Sequence, residues 1–121
     1  MKARLLAACA LAIVACERAD PCFAAMQRKS VSPSGRRVAT TYPGGCPDVF
    51  FATHVTVEFR GSGGGGVFAV RDSVADIRTR WRSEDTLEIS YPANITIDKR
   101  ETVLRHEAAR VYMVYRPRPT S

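Results

Sequence analysis

The sequence predicts a mainly β protein: a small antiparallel sheet or sandwich of six to seven short strands, preceded by a signal-peptide helix and a short tether. Three observations carry this expectation. Residues 53–60 and 76–91 alternate apolar and polar side chains with the period of two that a half-buried strand requires. Turn chemistry punctuates the chain at short intervals, as Ser32-Pro33-Ser34-Gly35, Pro43-Gly44-Gly45 and Ser83-Glu84-Asp85. Beyond residue 15, no long stretch repeats its apolar residues at helical spacing.

The first element is not part of that sheet. Lys2 and Arg4 give a positive start, and Leu5 to Ala15 is an uncharged apolar run of eleven residues. A spanning helix needs roughly 20, so the run has the proportions of an export signal. Its end, Ile13-Val14-Ala15-Cys16, resembles a bacterial lipobox, in which a thiol takes up the diacylglyceryl group and becomes residue one of the mature protein. The resemblance implies palmitate-type acyl chains on Cys16 and, with Glu17 rather than Asp following, an outer-membrane rather than inner-membrane address facing the periplasm. The alternative is ordinary signal cleavage near the same point, with Cys16 a bystander thiol.

This reading divides the chain into a signal peptide over 1–15, a tether over 16–30, a β domain over 31–116 and a frayed tail over 117–121. The tether carries Cys22, and Cys46 lies in the domain. In an oxidising compartment the even remainder predicts a Cys22–Cys46 disulfide. Closing that loop would be worth about 3.5 kcal/mol in the chain-entropy account. Two separate thiols, or a metal site without Cys-x-x-Cys spacing, are the alternatives.

The domain's strands follow in order. Arg36 to Tyr42 alternates loosely, with Val38, Thr40 and Tyr42 on one face. Val55, Val57 and Phe59 form the inward face of the next strand, opposite His54, Thr56, Glu58 and Arg60. Gly61 to Gly66 reads as a loose connection into a short strand at Val67–Val70; without Gly-Lys-Ser or Gly-Lys-Thr it is no phosphate loop. Residues 76–92 read as a β-hairpin with Ile77, Thr79, Trp81, Leu87, Ile89 and Tyr91 inward. Further short strands are expected at 95–97, 102–105 and 109–116. The last is apolar on both faces and belongs inside a sheet.

Arg78, Arg80 and Arg82 point outward from the hairpin, with Glu88 opposite. They read first as a solvated face held in cross-strand ion pairs, and second as an anion-binding stripe. The whole chain carries a formal charge of +6, about +4 without Lys2 and Arg4. The excess reads first as general surface charge with no specific partner; second, export makes lipid head groups or lipopolysaccharide more available anions than nucleic acid, and no nucleic-acid partner is expected.

The run SPSGRRVATTYPGGCPDVFFATHVTVEF with IRTRWRSEDTLEISYP resembles a family of short, exported, uncharacterised bacterial proteins. Ser32, Pro33, Gly35, Cys46, Thr53, Val55, Trp81, Leu87, Ile89 and Tyr91 hold the matching places. Ser34 departs from the family's acidic turn residue, and Pro-Gly-Gly-Cys-Pro-Asp from its cysteine loop. The resemblance implies export and fold but no activity.

No nucleophile, base and orienting group can be assembled from spacing. His54 falls on an outer strand face, His106 in a turn beside Glu107, and neither joins Asp48 at metal-ligand spacing. The expectation is a non-enzymatic, lipid-anchored envelope protein with a structural or binding role, without cofactor or metal, contacting the membrane through its anchor and another envelope component. The alternative is a secreted inhibitor or immunity-type protein that inserts the glycine-rich or Cys46 loop into an exported enzyme.

Overall fold

The computed structural model describes residues 27–44, 52–71 and 75–120. The expected signal peptide and the cysteines Cys16, Cys22 and Cys46 lie outside the described residues, as does Asp48. Among the described residues there are nine strands: β1 (Arg28–Val31), β2 (Arg37–Gly44), β3 (Ala52–Phe59), β4 (Gly63–Val70), β5 (Arg78–Ser83), β6 (Thr86–Pro92), β7 (Ile97–Arg100), β8 (Val103–His106) and β9 (Ala109–Arg118). They form a five-stranded sheet in the order β1-β2-β3-β4-β7 and a four-stranded sheet in the order β5-β6-β9-β8.

Alternation decides the faces as expected. Val55 and Val57 of β3, and Leu87 and Ile89 of β6, are fully buried while their even-numbered neighbours point out. Together with Phe68, Val70, Ile77, Val111 and Met113 they make one core shared by both sheets. Each fully buried aliphatic or aromatic side chain of this kind contributes roughly 1.5–3 kcal/mol. Phe68, Tyr91 and Tyr115 meet at centroid separations of 5.2–6.5 Å. The Tyr115 hydroxyl donates to the Glu101 carbonyl at 2.6 Å, and burial raises its pKa well above the ordinary phenol value.

Four features depart from the sequence expectation. The strand count is nine rather than six or seven, and one neighbouring pair, β6 with β9, is parallel. The chain leaves β6 for the other sheet as β7, returns as β8 and turns into β9, which therefore runs in the direction of β6. Alternation assigns a residue to a face but not a strand to a neighbour. Secondly, β1 is drawn from residues expected as tether. Its RKSV sequence carries little apolar signal, and it is held by backbone pairing to β2 and by the Trp81 indole N–H donating to the Ser30 carbonyl at 2.9 Å.

The third departure is the glycine run, which is strand rather than loose connection. Gly64 pairs with Glu58, and a Cβ at Gly64 would lie 2.0 Å from the Val57 carbonyl oxygen. Only glycine permits that backbone approach. Gly61 and Gly63, at φ +82° and +100°, make the turn that feeds it. Finally, the expected fray over 117–121 begins late. β9 runs to Arg118, whose guanidinium donates to Ser90 Oγ at 3.0 Å and to the Asp76 carbonyl.

The two sheets are clasped at one end by a carboxylate. Ser34 donates its amide (2.9 Å) and hydroxyl (2.5 Å) to Glu84, and Ser32 adds a hydroxyl at 3.1 Å. These bonds, with Ser34 the largest contributor, hold the Glu84 carboxyl below its ordinary pKa.

Candidate functional site

The outward positions of β5 are Arg78, Arg80 and Arg82, as the alternation requires, with Thr79 and Trp81 turned to the core side. Antiparallel pairing puts Arg80 opposite Glu88 of β6. The expected ion pairs form. Arg80 Nη2 lies 3.2 Å from Glu88 Oε1, and Arg82 Nη2 lies 2.7 Å from the same oxygen. Arg78 pairs instead with Asp76 at the start of the strand, at 2.7 Å. The hydrogen bond from Arg82 holds the Glu88 carboxyl below its usual range, and the one from Arg78 does the same for Asp76.

The sheet then adds arginines that no single strand shows. Parallel pairing with β6 sets Arg116 of β9 beside Ser90, with Nη1 3.9 Å from that same Glu88 oxygen. Arg118 reaches Asp76 at 3.6 Å. On the far side of β9, Arg110 is the register partner of Arg105 on β8, and both are exposed. Neither has an ion-pair partner among the described residues. The outer face of the β5-β6-β9-β8 sheet thus holds seven arginines against Asp76 and Glu88. Near its middle stands Tyr112, 43 % exposed, with Thr86 on one side and Val103 on the other.

Chemically, this face presents many cationic hydrogen-bond donors, the groups that suit an anion. Each guanidinium is a planar fork of five donors that stays charged at any physiological pH. Most of those donors remain available, since the Arg80 and Arg116 side chains are 69 % and 60 % exposed while the Glu88 side chain is 12 % exposed. The stripe of three arginines was legible because it lies on one strand. Arg105, Arg110, Arg116 and Arg118 were not, because they join it only through the β6–β9 and β8–β9 pairings. The one signal in the sequence was parity, which puts Arg110 and Arg116 on the same side of β9 as Tyr112.

The two histidines do different work. His54 is half-buried on the outer face of the other sheet, stacked on Tyr42 at 5.5 Å, and burial lowers its pKa. His106 ends β8 rather than lying in a turn. Its ring stacks on Phe59 at 5.0 Å, and its Nε2 is 2.8 Å from Ser62 Oγ in the glycine turn. A serine beside a histidine resembles half a catalytic triad, but the third group is misplaced. The Glu107 carboxylate approaches the same Nε2, at 3.9 Å, whereas an orienting carboxylate bonds the other ring nitrogen. The contact pins the β3–β4 turn to β8.

Beside this face of sheet β1-β2-β3-β4-β7, the lack of side chains at Gly64–Gly66 leaves a shallow trough of about 480 Å³, flanked by Lys29, Tyr42 and Glu58. Among the described residues no three His, Cys, Asp or Glu side chains gather as a metal site. Comparison with protein-family models, with curated proteins and with solved structures finds no match to this chain.

Proposed function

We propose that this chain is an exported protein of a bacterial envelope, anchored through acylated Cys16 and facing the periplasm, whose β domain binds an anionic component of that compartment rather than catalysing a reaction. The observation that carries the binding role is the arginine face: seven guanidiniums on one side of a sheet against two carboxylates. A surface held only for solubility mixes both signs. The apolar run ending in Ile13-Val14-Ala15-Cys16 supports the anchor. Stable anchoring by lipid takes two chains, or one chain plus a basic patch, and both ingredients are in this reading. A Cys22–Cys46 disulfide would tie the tether to the segment between β2 and β3. The inhibitor alternative loses one of its two insertion loops, since the glycine run is strand β4.

Palmitate labelling of the full chain expressed in a bacterium tests the anchor. Label should be incorporated, and should be lost in Cys16→Ser together with retention in membranes after a high-salt wash. A Cys16→Ser protein that stays with salt-washed membranes would contradict it.

A further inference from the structure

We infer that the arginine face lies flat on the phosphate surface of an anionic bilayer, with Tyr112 as its interfacial anchor. Choosing a bilayer over other polyanions rests on the envelope reading above; the charge argument stands on the structure itself.

Three observations carry it. The first is the Arg105–Arg110 pair. Like charges directly opposite each other across two strands are unfavourable, and here no carboxylate among the described residues meets either one. A phosphate lying between the two forks would turn that repulsion into two charge-assisted contacts. The second is the layout. The arginines spread over the outer positions of β5, β8 and β9 rather than lining a cleft, so they fit an extended plane of head groups better than one small ion. Glu88 takes three of them on a single oxygen, which braces the side chains while leaving most of their donors free. The third is Tyr112, exposed amid these charges and flanked by Val103 and the half-buried Val114. A ring with an apolar body and a polar tip favours the membrane–water boundary.

The attachment point agrees. Arg28 donates to the Ile77 carbonyl, so the chain joins the domain beside the Arg78 end of the face. Eleven residues separate Cys16 from Arg28, a reach of at most about 40 Å. An anchored domain would always be within range of the surface it binds, and tethering raises its effective concentration there.

The test uses the full chain carrying Cys16→Ser, so that binding by the face is measured apart from acylation. Failure of palmitate labelling would strike the anchor and leave this measurement untouched. Co-sedimentation is measured with phosphatidylglycerol-containing vesicles and with pure phosphatidylcholine vesicles. The protein should bind the first, largely ignore the second, and be released by about 1 M salt, where screening is nearly complete. Arg105→Gln with Arg110→Gln should lower partitioning about thirtyfold, with the melting temperature unchanged or raised because no internal ion pair is lost. Arg116→Gln, which leaves Glu88 paired with Arg80 and Arg82, serves as the second variant and should weaken binding severalfold. Lys29→Gln with Lys99→Gln, on the other sheet, should bind as the parent does. Equal binding to both vesicle types, or equal loss in the lysine variant, would overturn the proposal. So would binding of a single-stranded oligonucleotide without binding of anionic vesicles.

Discussion

Ser34 and Glu84 illustrate how one side chain can decide a contact between two turns. The serine donates twice to Glu84, where an aspartate would oppose it charge to charge. Ser34→Asp should therefore lower the melting temperature at neutral pH, while Ser34→Ala should lower it less. The pH dependence has a definite sign. The folded-state pKa of Glu84 is depressed, so its contribution is fully present above the ordinary carboxylate range near pH 4–5. It is lost as pH falls through the depressed folded value. Asp76 and Glu88 shift in the same direction, so acid weakens all three contacts together. Thermal melts between neutral and strongly acidic pH should show a steeper decline for the parent than for Glu84→Gln. Identical slopes would mean that Glu84 has the same pKa in the folded and unfolded chain.

Strand β4 is the element that most defied its composition. A run of glycines has low strand propensity and reads as a linker, yet Gly64 sits where a side chain would run into the backbone of β3 at Val57 and Glu58. Two substitutions separate the ideas. Gly64→Ala forces a Cβ against the Val57 carbonyl and should cost about 1–3 kcal/mol or more. At Gly66 the added Cβ would meet only Lys99 Nζ, at 3.7 Å, so Gly66→Ala should be neutral or stabilising by several tenths of a kcal/mol. Urea denaturation of both variants reads the difference directly. The contrast also shows what periodicity can carry. Inward faces were legible wherever apolar residues recurred at every second position, as at Val55-Val57-Phe59 and Leu87-Ile89-Tyr91. The four residues of β1 have no such pattern, and their pairing is a property of the backbone.

At the scale of the molecule, two sheets share one core but present unlike outer faces: arginines around Tyr112 on one, a polar trough over glycines on the other. The core's continuity predicts a single cooperative unfolding transition. Ile89→Ala, at a fully buried position, should destabilise the whole by about 2–5 kcal/mol, with fluorescence of Trp81 and far-ultraviolet circular dichroism falling together. The arginine face was half legible for the reason the topology was. Arg78, Arg80 and Arg82 sit on one strand, whereas Arg105, Arg110 and Arg116 reach the same surface only after the chain has crossed to the other sheet and back. Mapping amide chemical shifts of the Cys16→Ser chain as anionic bilayer discs are added tests most directly whether that surface is the working one. The account predicts perturbations concentrated at Arg80, Arg105, Arg110 and Tyr112, with β1, β2 and β3 unmoved. Perturbations confined to the trough around Tyr42 and Glu58, or none at either face, would contradict it.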